Sequence, residues 1–436
     1  MKKAYKISEL STLLKRGITP SYTDALKVMV INQKCIRDYK LNLDLARYTD
    51  PEKKKIADEK YLKSYDVLVN STGVGTLGRV AQISEVNRPV TSDSHVTIVR
   101  PDDQTIDPLY FGYCLKSRQK HIEALGEGST GQTELSRVLL GDMEIEILED
   151  FREQKVVANF FKAIDDKIEL NQKMNETLEE IAKTLFKSWF IDFDPVRAKA
   201  EGRPTGLSKE ISDLFPDSFE DSELGKIPKG WELSKLSEIF DIQGGSQPPA
   251  KTFIDEEKEG YVRLLQIRDY DDANHLTYIP SKKNLRIVDE DDVLIGRYGS
   301  GNGKFMEDSL GRPLRGLSGA INVAIVRTIP KIQNSREFIA IMVSSGLFYK
   351  WIVGGSARAV QAGFKKEDLD YINLPVPSPE ILSVFEEFGA LVWKKIKVLH
   401  KENGIISKVR DTLLPKLISG ELKIQDAEKV VEEAGI

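Results

Sequence analysis

The sequence repeats itself once, and this internal duplication restricts the possible folds more than any other feature. Six sets of residues in the first half recur in the same order in the second: Tyr5–Leu10 with Gly17 and Pro20 resembles Trp231–Leu236 with Gly244 and Pro248, Ile36–Tyr39 is identical to Ile267–Tyr270, Asp66–Val69 with Gly73 and Gly75 resembles Asp292–Ile295 with Gly299 and Gly301, Thr97–Arg100 resembles Ala324–Arg327, the Gly-rich stretch from Gly126 to Gly131 resembles Gly354 and Gly355, and Ile168, Asn175, Leu178, Ile181 and Leu185 align with Ile396, Asn403, Ile406, Val409 and Leu413. The repeating unit is far longer than the ~20–50 residues of a solenoid repeat. The sequence therefore predicts two domains of similar fold, rather than two unrelated domains of similar composition.

Each half begins with patterns typical of β-strands. Apolar residues alternate or run together between turn residues in five segments: Val67–Val69, Arg79–Ile83, His95–Val99, Asp292–Ile295 and Asn322–Val326. Short runs of this kind, bounded by Gly and Pro, indicate strands. Residues 108–124 and 336–352 are the expected short helical segments of the two halves. We therefore predict an α+β fold for each half.

Each half ends in a long segment with apolar residues at three- and four-residue spacing, 151–189 and 381–417. Such spacing over several heptads is typical of helices packed along a coiled-coil seam. The predicted seam residues are Ile164, Ile168, Asn175, Leu178 and Leu185 in the first helix and Ile396, Asn403, Ile406 and Leu413 in the second. A polar seam residue fixes helix register, and we expect Asn175 and Asn403 to do so. The alternative is a pair of core helices within one large domain.

These patterns divide the chain into six parts. They are a first α+β domain at 1–150, a first helical spacer at 151–200, an acidic connection rich in Pro and Gly at 201–230, a second α+β domain at 231–377, a second helical spacer at 378–422 and an acidic tail at 423–436.

Composition limits the function only weakly. The net charge of −5 argues mildly against nucleic acid, but the acidity is concentrated in 207–223 and 421–436, so it neither favours nor excludes DNA. Two cysteines, Cys35 and Cys114, do not suggest a disulfide framework and favour a reducing cytoplasm. The chain has no apolar run long enough for a membrane span and no signal peptide at its start. The four histidines are too far apart to predict a metal site.

The motifs of an enzyme are missing or incomplete. Gly73-Val-Gly75-Thr-Leu-Gly78 fits a dinucleotide-binding pattern, but a strand pattern follows it, so a tight turn between strands is favoured. The sequence has no phosphate-binding loop of the G-x-x-x-x-G-K-[ST] type. Gln247-Pro-Pro-Ala250 lacks the Asn or Asp and the aromatic residue by which DNA adenine methyltransferases hold a flipped base. We therefore predict a non-catalytic chain that binds no cofactor and no metal.

The sequence resembles the specificity subunit of type I restriction-modification systems. The resemblance is carried by Leu178–Pro195 (LEEIAKTLFKSWFIDFDP), Leu214–Ser218 (LFPDS), Asp221–Trp231 (DSELGKIPKGW) and Leu413–Glu421 (LLPKLISGE), together with the duplication. It implies two target-recognition domains, each reading one half of a split site in double-stranded DNA. It also implies that the two long helices form an antiparallel coiled coil and separate the two domains.

The resemblance further implies partner proteins. Two modification (methyltransferase) subunits are expected to dock on the helices, and restriction/translocase subunits to join through them. S-adenosylmethionine, ATP and Mg²⁺ are expected on those partners. A recognition subunit of another multisubunit restriction system, a self-sufficient DNA-modifying enzyme and a coiled-coil scaffold with no DNA role remain as alternatives.

Polar loops beside the predicted strands are the expected DNA contacts, since Arg and Lys suit guanine and phosphate while Asn and Gln suit adenine. They are Gln33, Lys34, Ser71, Thr72, Thr130 and Gln132 in the first half and Gln243, Gln247, Arg297, Tyr298, Lys304, Ser318, Arg358 and Gln361 in the second. Arg37-Asp38 and Arg268-Asp269 occur in both halves, so we expect them to form a shared structural ion pair. The helices are expected to set the gap between half-sites, and four inserted residues would add ~6 Å, or about two base pairs.

Overall fold

The computed structural model describes residues 2–73, 75–127, 133–270, 276–299, 305–306, 308–355 and 362–435. The chain forms two compact units: Met1–Asn171 with Lys401–Ile436, and Gln172–His400. The first unit thus contains the first α+β domain together with the end of the second half of the repeat, and the second unit contains the second α+β domain together with the end of the first half. The predicted α+β fold with two similar domains is confirmed.

In chain order, the elements of the first 190 residues are β1 Lys2–Lys6, β2 Ser11–Arg16, β3 Tyr22–Thr23, β4 Val28–Ile31, β5 Ile36–Arg37, β6 Lys40–Leu41, β7 Arg47–Thr49, β8 Val67–Asn70, β9 Val80–Gln82, β10 Val90–Ser92, β11 Val96–Pro101, α1 Pro108–Ser117, α2 Gln119–Ala124, β12 Gly126–Glu127, β13 Glu134–Leu135, α3 Arg137–Asp142, β14 Glu144–Leu148 and α4 Phe151–Phe190. Short 3-10 helices lie between some of these elements.

The remaining elements are α5 Asp194–Ala200, α6 Lys209–Ser212, β15 Phe219–Ser222, β16 Gly225–Pro228, β17 Glu232–Lys235, α7 Leu236–Ile239, β18 Phe240–Gly244, β19 Tyr261–Leu265, β20 Tyr278–Pro280, β21 Ile287–Val288, β22 Leu294–Gly296, β23 Tyr298–Gly299, β24 Pro313–Leu314, β25 Gly319–Ile321, β26 Ile325–Pro330, α8 Arg336–Ser344, α9 Leu347–Gly355, β27 Ala362–Gly363, β28 Asn373–Val376, α10 Pro379–Ile418 and α11 Ile424–Glu433.

The two units contain matching sheets. The first has an antiparallel sheet of order β2-β11-β8-β9, and the second has one of order β18-β26-β22-β24. Each unit also contains one parallel strand pair, β4 with β10 and β19 with β25. In the first unit the helices α1, α2 and α4 pack with the antiparallel sheet around Phe111 and Phe161, which are fully buried. The core of the second unit is built in the same way around Phe338 and Phe385.

A close backbone crossing that recurs in both units fixes the register of the duplication. A Cβ atom at Gly17 would lie 2.0 Å from the carbonyl oxygen of Ser92, and one at Gly245 would lie 2.0 Å from that of Ile321. Only glycine avoids such an overlap, because it has no Cβ. Gly17 is therefore equivalent to Gly245, and the pairing with Gly244 that sequence comparison suggested is wrong by one residue.

The segments Lys6–Leu10 and Lys235–Ile239 begin in the same way. In each, the amide of the first residue donates to the carboxylate of the glutamate three residues later, at 2.8 Å and 2.9 Å. This bond caps the short helix that follows. The two segments are therefore equivalent, and the predicted pairing of Tyr5–Leu10 with Trp231–Leu236 is wrong by three residues.

The identical tetrapeptides Ile36–Tyr39 and Ile267–Tyr270 have different structures. The first contains β5 and a two-residue turn in which Asp38 and Tyr39 have φ of 50° and 61°. The Tyr39 ring lies 5.1 Å from Lys116 Nζ, and this cation–π contact offsets part of the cost of the left-handed turn. The second tetrapeptide is a 3-10 helix. The match in sequence is therefore not a match in structure.

The two long helices run antiparallel where they pair. In the first unit Ile164 and Ile168 of α4, and Ile406 and Leu413 of α10, are buried in one core cluster. Leu178 and Leu185 are half-buried and Ile396 is buried in the second unit.

One detail of the predicted seam is wrong. Asn403 accepts a hydrogen bond from Asn171 Nδ2 at 2.9 Å and donates to the carbonyl of Ile168 at 3.2 Å. The partner of Asn403 is therefore Asn171 and not Asn175, because Asn171 is one helical turn nearer to the residues that Asn403 faces. The Asn175 Oδ1 atom is buried and has no hydrogen-bond partner among the described residues.

Two segments that composition marked as a connection and a tail are folded. Within 201–230 the strands β15 and β16 form a hairpin, and Phe215 and Ile227 are buried in the second unit. Residues 424–433 form α11, and Ala427 is fully buried in the first unit. In each acidic segment a few apolar residues are buried and pack the segment against its unit. The average charge of a segment does not reveal this packing. In the described part of the chain, no single helix is both long and apolar enough to cross a membrane.

Candidate functional site

A cluster of polar side chains lies at the end of β8 in the first unit. The Thr72 hydroxyl lies 2.8 Å from His95 Nδ1 and 3.3 Å from Gln33 Oε1. Asn70 Nδ2 donates to the carbonyl oxygen of Gln33 at 3.1 Å. Lys34 follows Gln33 and is exposed. We call these five residues the first polar site. Asn70 is fully buried and holds the Gln33 backbone, while the amide, hydroxyl, imidazole and ammonium groups of the other four are of the types that bind base edges and phosphates.

Ser71 differs from its neighbours because it is part of the core. Its side chain is fully buried, and its hydroxyl lies 2.6 Å from that of Thr97. Its amide donates to the His95 carbonyl and its carbonyl accepts from Leu135, both at 2.8 Å. The prediction that Ser71 contacts DNA is therefore wrong, since a strand-end residue between two strands points its short side chain inward.

Arg297 and Tyr298 form the corresponding feature of the second unit, which we call the second polar site. The Arg297 amide donates to the Ala324 carbonyl at 2.8 Å, and its own carbonyl accepts from Phe364 at 3.2 Å. Ser71 makes the same pair of backbone hydrogen bonds in the first unit, so Ser71 and Arg297 occupy equivalent positions. The Arg297 guanidinium carbon lies 5.4 Å from the centre of the Tyr298 ring, which is 46% exposed. A guanidinium beside an exposed ring can offer its planar donors to a ligand.

The two units place an arginine at the same carbonyl group from different strands. In the first unit Arg16 Nη2 donates to the Leu135 carbonyl at 3.2 Å. In the second Arg297 Nε donates to the equivalent Phe364 carbonyl at 3.2 Å. Gly244 replaces Arg16 in the repeat and leaves the space that the Arg297 side chain fills, since a Cβ there would stand 3.6 Å from Arg297 Nη1.

The strand register around this arginine corrects another sequence match. Arg16 is opposite Thr97, and Gly244 is opposite Val326. Thr97 is therefore equivalent to Val326, so the predicted pairing of Thr97–Arg100 with Ala324–Arg327 is wrong by two residues. Arg16, Asn70 and His95 were not among the predicted contacts, because only the strand pairing brings them to the polar site.

The other predicted contacts are less closely connected. Gln243 is half-buried opposite Arg327 in the antiparallel sheet, while Gln247 and Ser318 are exposed. Within the described ranges no hydrogen bond joins Gln247 or Ser318 to Arg297. The remaining predicted contacts lie outside the described residues: Thr130, Gln132, Lys304, Arg358 and Gln361.

Among the described residues, the ion pair expected from both tetrapeptides forms in the first unit only, so it is not shared. Arg37 Nε lies 3.8 Å from Asp38, and both side chains are largely exposed. Asp269 is buried and pairs instead with Arg263 at 3.6 Å, while Arg268 donates to the Thr277 hydroxyl. The prediction is wrong because the identical residues occupy a hairpin turn in one unit and a 3-10 helix in the other.

The glycine pattern Gly73–Gly78 joins β8 to the antiparallel strand β9. A dinucleotide loop instead leads from a strand into a helix, so the predicted tight turn is confirmed. Among the described residues, no group of three His, Cys, Asp or Glu side chains is arranged to hold a metal ion.

Comparison with known proteins shows the same two-part organisation. Residues 3–180 and 228–409 each match the family model described as the type I restriction modification DNA specificity domain. The type I restriction enzyme MjaIX specificity subunit of Methanocaldococcus jannaschii is 26% identical over 379 residues, which are 84% of this chain and 82% of that protein. The HindI specificity subunit of Haemophilus influenzae is 24% identical over 419 residues, 84% of this chain and 88% of that protein.

A solved structure shares the fold along almost the whole chain. The S subunit of a type I restriction-modification system from M. genitalium superimposes with a TM-score of 0.51 at 18% identity, and 96% of each chain is covered.

Proposed function

Because the chain belongs to the family of type I restriction-modification DNA specificity subunits, we propose that it recognises a bipartite site in double-stranded DNA. Each domain reads one half-site through its polar site. The chain directs modification (methyltransferase) subunits, and through them restriction/translocase subunits, to that DNA. Catalysis, S-adenosylmethionine, ATP and Mg²⁺ belong to the partners, and the assembled complex works in the cytoplasm.

The observation that carries this proposal is the equivalence of the two polar sites. Ser71-Thr72 and Arg297-Tyr298 occupy the same place in two copies of one fold, yet their side chains differ in size and charge. A duplicated scaffold with different polar groups at one position suits recognition of two different base sequences. Hydroxyl and amide groups at one site, and a guanidinium with a tyrosine at the other, bind different base edges.

The long helices offer surfaces for the partner subunits. Val156 and Leu170 on α4 and Ile405 on α10 are about half exposed in the first unit. In the second unit Leu391 and Val398 of α10 are 69% and 52% exposed and are seven residues apart. Large apolar side chains at heptad spacing on one helix are suited to packing against another helix. Their exposure supports association through the helices.

The alternative is a coiled-coil scaffold without a DNA role. Such a scaffold would also use the exposed helix surfaces. The different side chains of the two polar sites favour recognition, because a scaffold has no use for them.

The test is to assemble the chain with its methyltransferase subunits and map DNA methylation on a genomic substrate. We expect methylation at one split sequence, and exchange of residues 1–150 for another family member's domain should replace one half-site only. Methylation without the chain, or at a continuous site, would contradict the proposal. A complex that assembles but binds DNA no better than its partners alone would support the scaffold.

A further inference from the structure

The parallel strand pairs extend the register fixed by the glycine crossings to another strand of each unit. In the first unit Ile31 of β4 is opposite Ser92 of β10, and in the second Leu265 of β19 is opposite Ile321 of β25. Ser92 and Ile321 are equivalent because each is the residue whose carbonyl oxygen meets the crossing glycine of its unit. Ile31 is therefore equivalent to Leu265.

Each of these strands is followed directly by a 3-10 helix, Gln33–Cys35 in the first unit and Ile267–Tyr270 in the second. Counting from the equivalent strand residues, Lys34 and Arg268 are each three positions further along the chain. The two cations therefore occupy the same position. The identical tetrapeptides instead predict that Arg268 is equivalent to Arg37.

Both 3-10 helices lie against the strand end that leads into the polar site. In the first unit Asn70 Nδ2 donates to the Gln33 carbonyl at 3.1 Å. In the second a Cβ at Gly296, which precedes Arg297, would stand 3.0 Å from Ile267 Cδ1. The cation of each unit is thus next in sequence to a residue that contacts this strand end.

Both cations are exposed, although their neighbours are buried. Cys35 is fully buried and Asp269 is 5% exposed, whereas Lys34 and Arg268 are among the exposed residues. In the parts of the chain that the structure describes, neither cation forms an ion pair with a carboxylate. Arg268 donates from one Nη to the Thr277 hydroxyl at 2.8 Å. The other N–H groups of the guanidinium take no part in that hydrogen bond.

We propose that Lys34, at the edge of the first polar site, and Arg268, beside the second, are the equivalent phosphate contacts of the two domains. This inference rests on the proposed DNA recognition. Two domains that read different bases still face the same sugar-phosphate backbone, so a contact that both need carries the same charge in both. Phosphate contacts fix the position of a protein on the duplex and carry no sequence information.

The test uses the complex assembled with its methyltransferase subunits, a duplex carrying the methylated sequence and an equally long duplex without it. Binding is measured across salt concentrations for Lys34→Gln, Arg268→Gln and the double variant. One phosphate contact contributes about 0.9 to the slope of log K against log salt. We expect each single variant to lower the slope by about 0.9 and the affinity about eight-fold at ~0.1 M salt, on both duplexes. The methylated sequence should not change.

Two matched variants make the result specific. Lys226→Gln removes the same charge from the exposed β15–β16 hairpin and should leave the slope unchanged. Arg37→Gln distinguishes the two registers: if it reproduces Arg268→Gln and Lys34→Gln does not, the proposed equivalence is wrong. Unchanged slopes in both single variants, or an altered half-site, would also overturn the inference. Failure of the wild-type complex to prefer its methylated sequence would instead refute the proposed function.

Discussion

At the scale of single residues, the two polar sites show how a duplicated fold diverges. Arg16 and Arg297 bind equivalent carbonyl groups, but Arg16 also pairs with Glu134 at 2.5 Å. Gly363 is the equivalent of Glu134 in the second unit and provides no carboxylate. Arg16 is therefore neutralised and held in place, whereas the outer nitrogens of Arg297 have no carboxylate among the described residues.

This difference predicts that Arg297, and not Arg16, determines base preference. Arg297→Lys keeps the charge but removes the planar pair of donors that suits guanine. We expect it to reduce discrimination at one base pair of the second half-site by about 1–3 kcal/mol, seen as methylation of additional sequences. Arg16→Lys is the matched control, because lysine retains the ion pair with Glu134. An unchanged second half-site in Arg297→Lys, or a changed first one in Arg16→Lys, would contradict this.

The sequence predicted the type of site but not its exact residues. Gln33, Thr72, Arg297 and Tyr298 lie where polar loops follow strands, as the strand patterns indicated. Ser71 neighbours Thr72 in the same polar segment, yet the two side chains alternate in direction along the chain, and only strand pairing shows which one is buried. The partners His95 and Arg16 come from other strands, and no local pattern connects them.

At the scale of elements, a charged cluster joins three helices of the first unit. Asp165 of α4 accepts hydrogen bonds from Tyr113 and Lys116 of α1 at 3.0 Å and 2.8 Å, and from Arg410 of α10 at 2.8 Å. Burial alone would raise the pKa of Asp165, but Lys116 and Arg410 hold it below its usual range. The carboxylate therefore stabilises the packing of the three helices.

We predict that Asp165→Asn destabilises the chain at neutral pH by about 3 kcal/mol, since it leaves two largely buried cations without this partner. The folded-state pKa of Asp165 lies below the unfolded value of about 4. Its contribution is thus complete above pH ~4 and is lost as the pH falls through the folded-state pKa. Urea unfolding should show a gap between wild type and variant that shrinks below pH ~4. Asp166→Asn, which breaks only an exposed pair with Lys162, should change stability by less than about 1 kcal/mol.

The start of α4 depends on one buried glutamine. Gln154 is 1% exposed, accepts from the Asp107 amide at 2.8 Å and donates to the Leu148 carbonyl at 2.6 Å. It therefore ties the helix to the loop before α1 and to the end of β14.

We expect Gln154→Leu to lower the free energy of unfolding by about 1–3 kcal/mol, because the buried Asp107 amide loses its acceptor. A lower urea midpoint would show this. Gln104→Leu makes the same change at an exposed position and should have little effect. Equal midpoints for the two variants would mean that water replaces the glutamine.

Helix periodicity predicted α4 and α10 well because sustained three- and four-residue spacing has no strand equivalent. It could not identify Asn171 as the partner of Asn403, since both Asn171 and Asn175 fit the same stripe. The choice depends on how far one helix is shifted along the other, which is a tertiary property.

At the scale of the whole molecule, the repeat was easier to detect than to align. The identical tetrapeptides and the Arg100 and Arg327 pair suggested registers that the structure corrects, while Lys6–Leu10 and Lys235–Ile239 match with only conservative changes. Local sequence identity arises by chance in a chain of 436 residues. The glycine crossings and strand pairs are reliable because they follow from backbone geometry that both units share.

The gap between half-sites is the property of the whole molecule that we expect the long helices to control. Helix α4 passes from the first unit to the second between Asn171 and Gln172. Four residues inserted there add one helical turn, ~6 Å, which corresponds to at most about two base pairs. If the helix determines the gap, methylation mapping of the assembled complex should show a longer gap and two unchanged half-sites. The length-neutral control is Gln172→Ala with Lys173→Ala, both at exposed positions, and it should leave the gap unchanged. Altered half-sites with an unchanged gap would show that α4 does not set the spacing.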